Sequence, residues 1–221
     1  MTRITNHAEL SQHYKPARGR SVEKQLEQLE HHSRSFIAHS PFVLLATHGA
    51  DRLGDVSPRG DLPGFVHIEN DHSLLLPDWP GNNRIDSLRN IIDNPGVGLL
   101  FLIPGVNETL RINGQASIHT DGELLALFDR NGKKPLSVLR IAVREVFLHC
   151  AKALMRSELW DSNRQIVRSD FPTMGQMITD QIAGKTTVSR PSDQENPSSP
   201  NTQEAPESQE AMEARYRKLL Y

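Results

Sequence analysis

The chain has 221 residues, 37% hydrophobic and 5% aromatic, enough for one packed core with part of the length left outside it. A formal net charge of −2 gives no global field to draw it onto nucleic acid or an acidic membrane, and the longest apolar run, 97–103, is far shorter than the roughly 20 residues of a spanning helix. A single cysteine, Cys150, excludes an internal disulfide and a cysteine-rich metal cage; residues 1–7 lack the apolar segment of a secretion signal, so a reduced, cytoplasmic setting is expected.

Along the chain, Val22, Leu26, Leu29, Phe36 and Ile37 recur near a 3.6-residue period, which predicts a first helix ending before Ser40-Pro41. Strands are expected next at 42–47, 54–59, 65–69 and 73–76; Pro58 demotes the second to an edge, and Asn70-Asp71 joins the last two as a hairpin. A helix is expected over 83–92, with Ile85, Leu88, Ile91 and Ile92 on one side and Asn94-Pro95-Gly96 stopping it. A buried strand at 97–103 precedes the cleanest alternation in the chain, 110–119, where Leu110, Ile112, Gly114, Ala116 and Ile118 share one face. A short helix at 122–128 and a long strand at 138–149 complete the body. Strands adjacent in sequence with few crossover helices imply an antiparallel sheet, and closing it into a barrel would remove its edges, so the expected class is α+β. The expected organisation is an N-terminal helical region, 1–41; the barrel domain, 42–160; and a helical extension, 161–185. Residues 186–210, rich in Ser, Pro, Gln, Glu and Asn, read as a disordered linker before a helical tail, 211–221.

No glycine-rich dinucleotide fingerprint, P-loop, His-Glu-x-x-His site or nucleophile elbow occurs. His31 and His32 point about a third of a turn apart on a helix and cannot clasp one metal well; His149 and Cys150 face opposite ways on a strand. Polar residues at element boundaries remain. Asp55-Val56-Ser57-Pro58-Arg59-Gly60-Asp61 ends one strand with a hydroxyl, a guanidinium and a glycine. Leu76-Pro77-Asp78-Trp79-Pro80-Gly81-Asn82-Asn83-Arg84 runs from another strand into a helix, whose first turn favours phosphate and where Arg84 adds a planar donor. Glu108-Thr109-Leu110-Arg111 opens the alternating strand. An anionic, phosphorylated ligand is the expectation.

These runs, with Gly98 to Gly105 and His149-Cys150-Ala151-Lys152-Ala153-Leu154-Met155-Arg156-Ser157, resemble the pyridoxamine 5'-phosphate oxidase-like flavoproteins over about residues 36–160. The resemblance implies a six-stranded antiparallel split β-barrel with flanking helices, a homodimer, and one FMN in each of two clefts between subunits. It places Ser57, Pro58 and Arg59 along the flavin, Asp78 facing it, Asn83 and Arg84 at the phosphate and Thr109 toward the cofactor, with Lys152, Arg156, Ser157 and Trp160 coming from the other subunit. The implied activity is FMN-dependent oxidoreduction of a small molecule through flavin N5, with no catalytic side chain assigned. Trp79 stands where that subgroup carries a basic residue, and no match to the substrate-phosphate residues of true pyridoxamine-phosphate oxidases is found, so vitamin B6 oxidation is not expected. Alternatives are an F420- or haem-binding split-barrel enzyme, the latter with a histidine such as His149 on the iron, or a non-catalytic flavin-binding sensor.

Overall fold

In the computed structural model, which describes residues 3–50, 53–184 and 208–219, strands follow one another with few helices between them, so every strand pairing is antiparallel. Three short helices come first: α1 (His7–His13), α2 (Arg20–Glu23) and α3 (His31–His39). Then come β1 (Phe42–His48), β2 (Gly54–Gly60), β3 (His67–Asn70), β4 (Ser73–Asp78), α4 (Asp86–Asp93), β5 (Gly96–Leu102), β6 (Thr109–His119), α5 (Gly122–Ala126), β7 (Ser137–His149) and α6 (Lys152–Ser157). All seven strands lie in a unit of residues 1–161; a second unit, 162–221, holds α7 (Met174–Ala183) and α8 (Gln209–Leu219). The linker expected at 186–210 lies outside the described residues except at its end, where Gln209 and Glu210 already belong to α8. Among the described residues, no helix is long and apolar enough to cross a membrane.

The seven strands, one more than the resemblance implied, form one sheet in the order β2-β1-β5-β6-β7-β4-β3. Strand pairing does not close it, and β2, the strand carrying Pro58, is one edge as expected. Its inner face is apolar where period-two alternation demands it: Val43 and Leu45, Leu99 and Phe101, Leu110 and Ile112, and Leu139 and Ile141 are each 0–1% exposed. Each such side chain stabilises the fold by about 1.5–3 kcal/mol, which fixes the register of the central strands.

The single helix expected over residues 22–37 does not form. Strand β4 covers β7 only as far as Ala142, so the backbone of β7 beyond that point needs another partner. Leu26 supplies it through N–H···O bonds of 3.0 and 2.8 Å exchanged with Val146, a bridge that keeps Leu26 out of a helix. The helix starts only at His31. There Glu30 and Ser33 form a reciprocal capping box. Burial opposes ionisation of Glu30, but the N–H groups of His32 and Ser33 outweigh it and hold the carboxyl below its usual range.

In β7 the side-chain parity changes along the strand. Leu139, Ile141 and Val143 are buried, and beyond them Val146 is; the shift occurs where Asn113 pairs with Glu145 and Gly114 with Val143, leaving Arg144 bulged. A Cβ on Gly114 would lie 2.4 Å from the Ala142 carbonyl oxygen, so the bulge requires glycine there. Gly114→Ala is expected to destabilise the chain by about 2 kcal/mol, read by chemical denaturation; a change below about 0.5 kcal/mol would show that the bulge relaxes freely.

Candidate functional site

Strand β2 departs from the hydrophobic alternation of its neighbours. Its half-buried positions are Asp55, Ser57 and Arg59, while Val56 and Pro58 face outward. The polar stripe faces the far end of the sheet: Arg59 Nη1 donates to Asp78 Oδ1, joining edge strand β2 to β4, with side-chain exposures of 23% and 15%. This ion pair bridges the seam that strand pairing leaves open. From it a chain of polar contacts continues. Arg59 Nε donates to Ser57 Oγ at 3.3 Å, and Ser57 Oγ lies 3.2 Å from Ser87 Oγ. Ser87, 4% exposed on α4, donates to Asp55 Oδ2 at 2.8 Å; Thr47 donates to the same oxygen at 3.3 Å and receives Asn90 Nδ2 at 3.0 Å. The helix is thereby fastened to β1 and β2 by side chains alone.

The loop between β4 and α4 explains why the helix begins at Asp86 and not at Asn83 as expected. Asn83 has φ +57°, a left-handed conformation that Asn tolerates better than most residues and that breaks helical continuity. Asn82 Oδ1 accepts the Arg84 N–H at 3.0 Å, a local turn competing with the helix. Ile85 then caps α4 without a side-chain hydrogen bond, and Asp86 in the first turn pairs with Arg84 Nε at 2.9 Å. Asn83 and Arg84 therefore precede the helix instead of opening it.

Between the β2 stripe, this loop and α4 lies a cleft of about 420 Å³. Ser57, Pro58, Arg59, Asp78, Asn83 and Arg84, six of the sequence-predicted residues, all line it. Its polar floor is Asp55, Ser57, Arg59, Asp78 and Ser87; its apolar walls include Trp79, Ile85 and Leu136. Sequence reasoning missed Ser87, Leu136 and the role of Asp55; the i, i+2, i+4 polar pattern of Asp55, Ser57 and Arg59 was the available signal for the last. It also missed Arg130, whose guanidinium lies 5.7 Å from the Trp79 ring and donates to Asp61 Oδ1 at 2.6 Å. No local pattern marks Arg130.

Thr109, Lys152, Arg156, Ser157 and Trp160 do not line this cleft. Thr109 pairs with His149 across β6 and β7; Lys152, Arg156 and Ser157 are exposed on α6; and Trp160 Nε1 donates to the Val106 carbonyl at 2.9 Å. Nearby, burial and then the charges of Arg111 and Lys24 hold the His149 imidazole below its ordinary value of 6.5. Among the described residues, no group of three or more His, Cys, Asp or Glu is placed to hold a metal ion.

The family model described as "Pyridoxamine 5'-phosphate oxidase" matches residues 29–150, more than half of the chain. The chain belongs to that family. With the open antiparallel sheet, this makes the fold an α+β split barrel of the pyridoxamine 5'-phosphate oxidase kind. Among solved structures, HupZ of Group A Streptococcus is 20% identical, over 54% of this chain and 93% of its own, with a TM-score of 0.45. General Stress Protein 26 from Bacillus anthracis is 17% identical over 52% and 88%, at a TM-score of 0.40, and an F420 reductase is 18% identical over 55% and 98%, at 0.39. No curated protein matches the chain.

Two outcomes follow for this pyridoxamine 5'-phosphate oxidase family member. A double-mutant cycle of Arg59→Ala and Asp78→Ala should give a coupling of about 0.5–3 kcal/mol in urea unfolding, and a coupling near zero would mean that the seam pair adds nothing. Because the fold disfavours protonated His149, its stabilising contribution is complete above the unfolded pKa and is lost as pH falls through and below it. His149→Gln should therefore flatten the drop in thermal midpoint between about pH 7 and pH 5.

Proposed function

We propose that this family member is an FMN-dependent oxidoreductase acting on a small molecule, and that it works as a homodimer with a cofactor in each of two clefts between subunits. One observation carries the reading: the cleft joins two guanidiniums, two hydroxyls and a wall of apolar and aromatic side chains at the seam of the barrel. That donor set suits a molecule with a phosphate at one end and a flat, hydrogen-bonding ring at the other. Bound FMN supplies hydride transfer through its N5 position.

The chain's own residues then bind and orient. Arg84, 64% exposed, offers its planar guanidinium to a phosphate and shares it with Asp86. Asn83, held in its left-handed conformation, shapes the backbone that approaches the same group. Arg59, oriented by Asp78 and Ser57, presents the remaining edge of its guanidinium toward the ring's polar rim, with Ser57 and Pro58 beside it. Asp78 keeps that guanidinium in place and faces the cofactor from β4.

Thr109 is assigned to face the cofactor, and Lys152, Arg156, Ser157 and Trp160 to the partner's cleft; Lys152, Arg156 and Ser157 support this by standing exposed on α6, immediately after the longest strand. Val56, Leu62 and Leu136, at 61%, 70% and 60% exposure, are the apolar surface around the cleft that a second subunit would cover. No side chain is given a proton-transfer role. A cytoplasmic setting belongs to the same reading and is supported by the exposed free thiol of Cys150.

The purified protein should be yellow, and mass spectrometry of the released cofactor should identify FMN. Arg84→Ala should weaken FMN retention about tenfold or more in equilibrium dialysis. A colourless protein that retains no added FMN, or one carrying a Soret band or a deazaflavin spectrum, overturns the reading.

A further inference from the structure

Trp79 takes no part in the polar chain of the cleft floor, yet the structure holds it with some care. It follows Asp78 at the end of β4 and lines the cleft. The Arg130 guanidinium sits 5.7 Å from the centre of its ring, within cation–π range. Arg130 is itself anchored to Asp61, a carboxylate only 9% exposed, which also accepts the Leu62 N–H at 2.6 Å. The segment carrying Arg130 closes on itself and is then joined to β4. Arg130 and Lys133 exchange backbone bonds of 2.8 and 3.0 Å, and the Leu136 N–H bonds the Asp78 carbonyl at 2.9 Å. Ion pairs with a nearly buried member are expensive to desolvate, and this one lies against the indole instead of within the seam. With Trp79 in the lining, Leu136 and Ile85 remain 60% and 43% exposed, so apolar surface in the cleft is open to a ligand.

We propose that Trp79 is the ring-recognising wall of the cleft, held in orientation by Arg130, and that it selects a flat conjugated ring as the ligand it packs against. The inference rests on the flavin reading and narrows it. An indole in van der Waals contact with a flat ring gains through offset stacking beyond the area it covers, whereas the floor of Asp55, Ser57, Arg59 and Asp78 recognises only the ring's polar edges. Trp79 touches the ligand, and Arg130 is a positioning residue. The ring is the cofactor's own isoalloxazine or that of an aromatic hydride acceptor lying on it, and the two sources separate by experiment.

The chain has two tryptophans, so the emission lost in the full-length Trp79→Leu variant is that of Trp79. Wild type, Trp79→Leu and Trp79→Phe are titrated with FMN, with retention measured in parallel by equilibrium dialysis, and then, once saturated, with the naphthoquinone menadione. If the ring is the cofactor's, FMN quenches the Trp79 component by about half or more; if it is the acceptor's, only menadione does so. In either case the ligand that quenches should bind about five- to tenfold more weakly to Trp79→Leu and less than about threefold more weakly to Trp79→Phe, with Arg130→Gln between them. Protein that retains FMN but shows Trp79 emission unchanged by both ligands overturns the role of Trp79 and leaves the flavin reading standing. So do equal losses in Trp79→Phe and Trp79→Leu, since the indole would then only fill space. Protein that retains no FMN overturns the flavin reading, and this inference with it.

Discussion

An antiparallel sheet that does not close on itself has to manage two edges, and here one side-chain pair spans the gap between them. Strand β2 ends the sheet on one side and β3 on the other, with β4 next to β3, so the contact from Arg59 to Asp78 joins regions that no backbone ladder connects. A guanidinium suits the task because its donors are fixed in a plane: one nitrogen reaches β4 while another is steadied by Ser57 within β2. The partly buried pair resists screening by salt better than a surface pair would. The same pair lies in the lining of the cleft, where the polar stripe of β2 replaces the leucines and isoleucines found elsewhere on the inner face.

Helix α4 is subordinate to that seam. It is only two turns long, too short to persist by local hydrogen bonding, and its first turn lacks a side-chain cap. Its place depends on buried Ile91 in the core and on Ser87 and Asn90, which bond to residues of β1 and β2. Asp55 and Ser57 thus serve both the cleft and the helix. The loop before α4 carries Asn83 and Arg84 into the cleft lining, so the cleft's shape and the helix's start share the same few residues.

Much of this could be read before any coordinates. The central strands were legible because each buries one face, and Leu110, Ile112 and Ala116 declare that face by simple alternation. The edge position of β2 followed from Pro58, which has no N–H to give a neighbour. Six residues that the fold gathers in one cleft were legible as residues at element boundaries. Other features were hidden for physical reasons. Leu26 and Leu29 fit a helical period, but uncovered backbone on β7 claimed that segment, and sequence spacing does not record such tertiary demand. The start of α4 was set by the dihedral angle of one asparagine and the side chain of another, local effects that outweigh a hydrophobic pattern extending across them. The partnership of Arg59 with Asp78, and of Trp79 with Arg130 some fifty positions later, depends on how the sheet curls.

The bulge at Gly114 has a consequence for how this barrel can change over time. Because Arg144 has no opposite residue in the β6 register, the buried side chains of β7 switch from odd-numbered Leu139, Ile141 and Val143 to even-numbered Val146. Loss of Arg144 would leave Val143 and Glu145 adjacent opposite Gly114 and Asn113, so pleating would run unbroken with Ile141, Val143 and Val146 still on one face. Gain of one residue elsewhere in the strand would instead turn the part beyond it inside out, placing Val146 or Ile141 in water. Length variation among descendants of this chain should therefore accumulate in the connections and, within the thirteen residues of β7, be confined to the bulge.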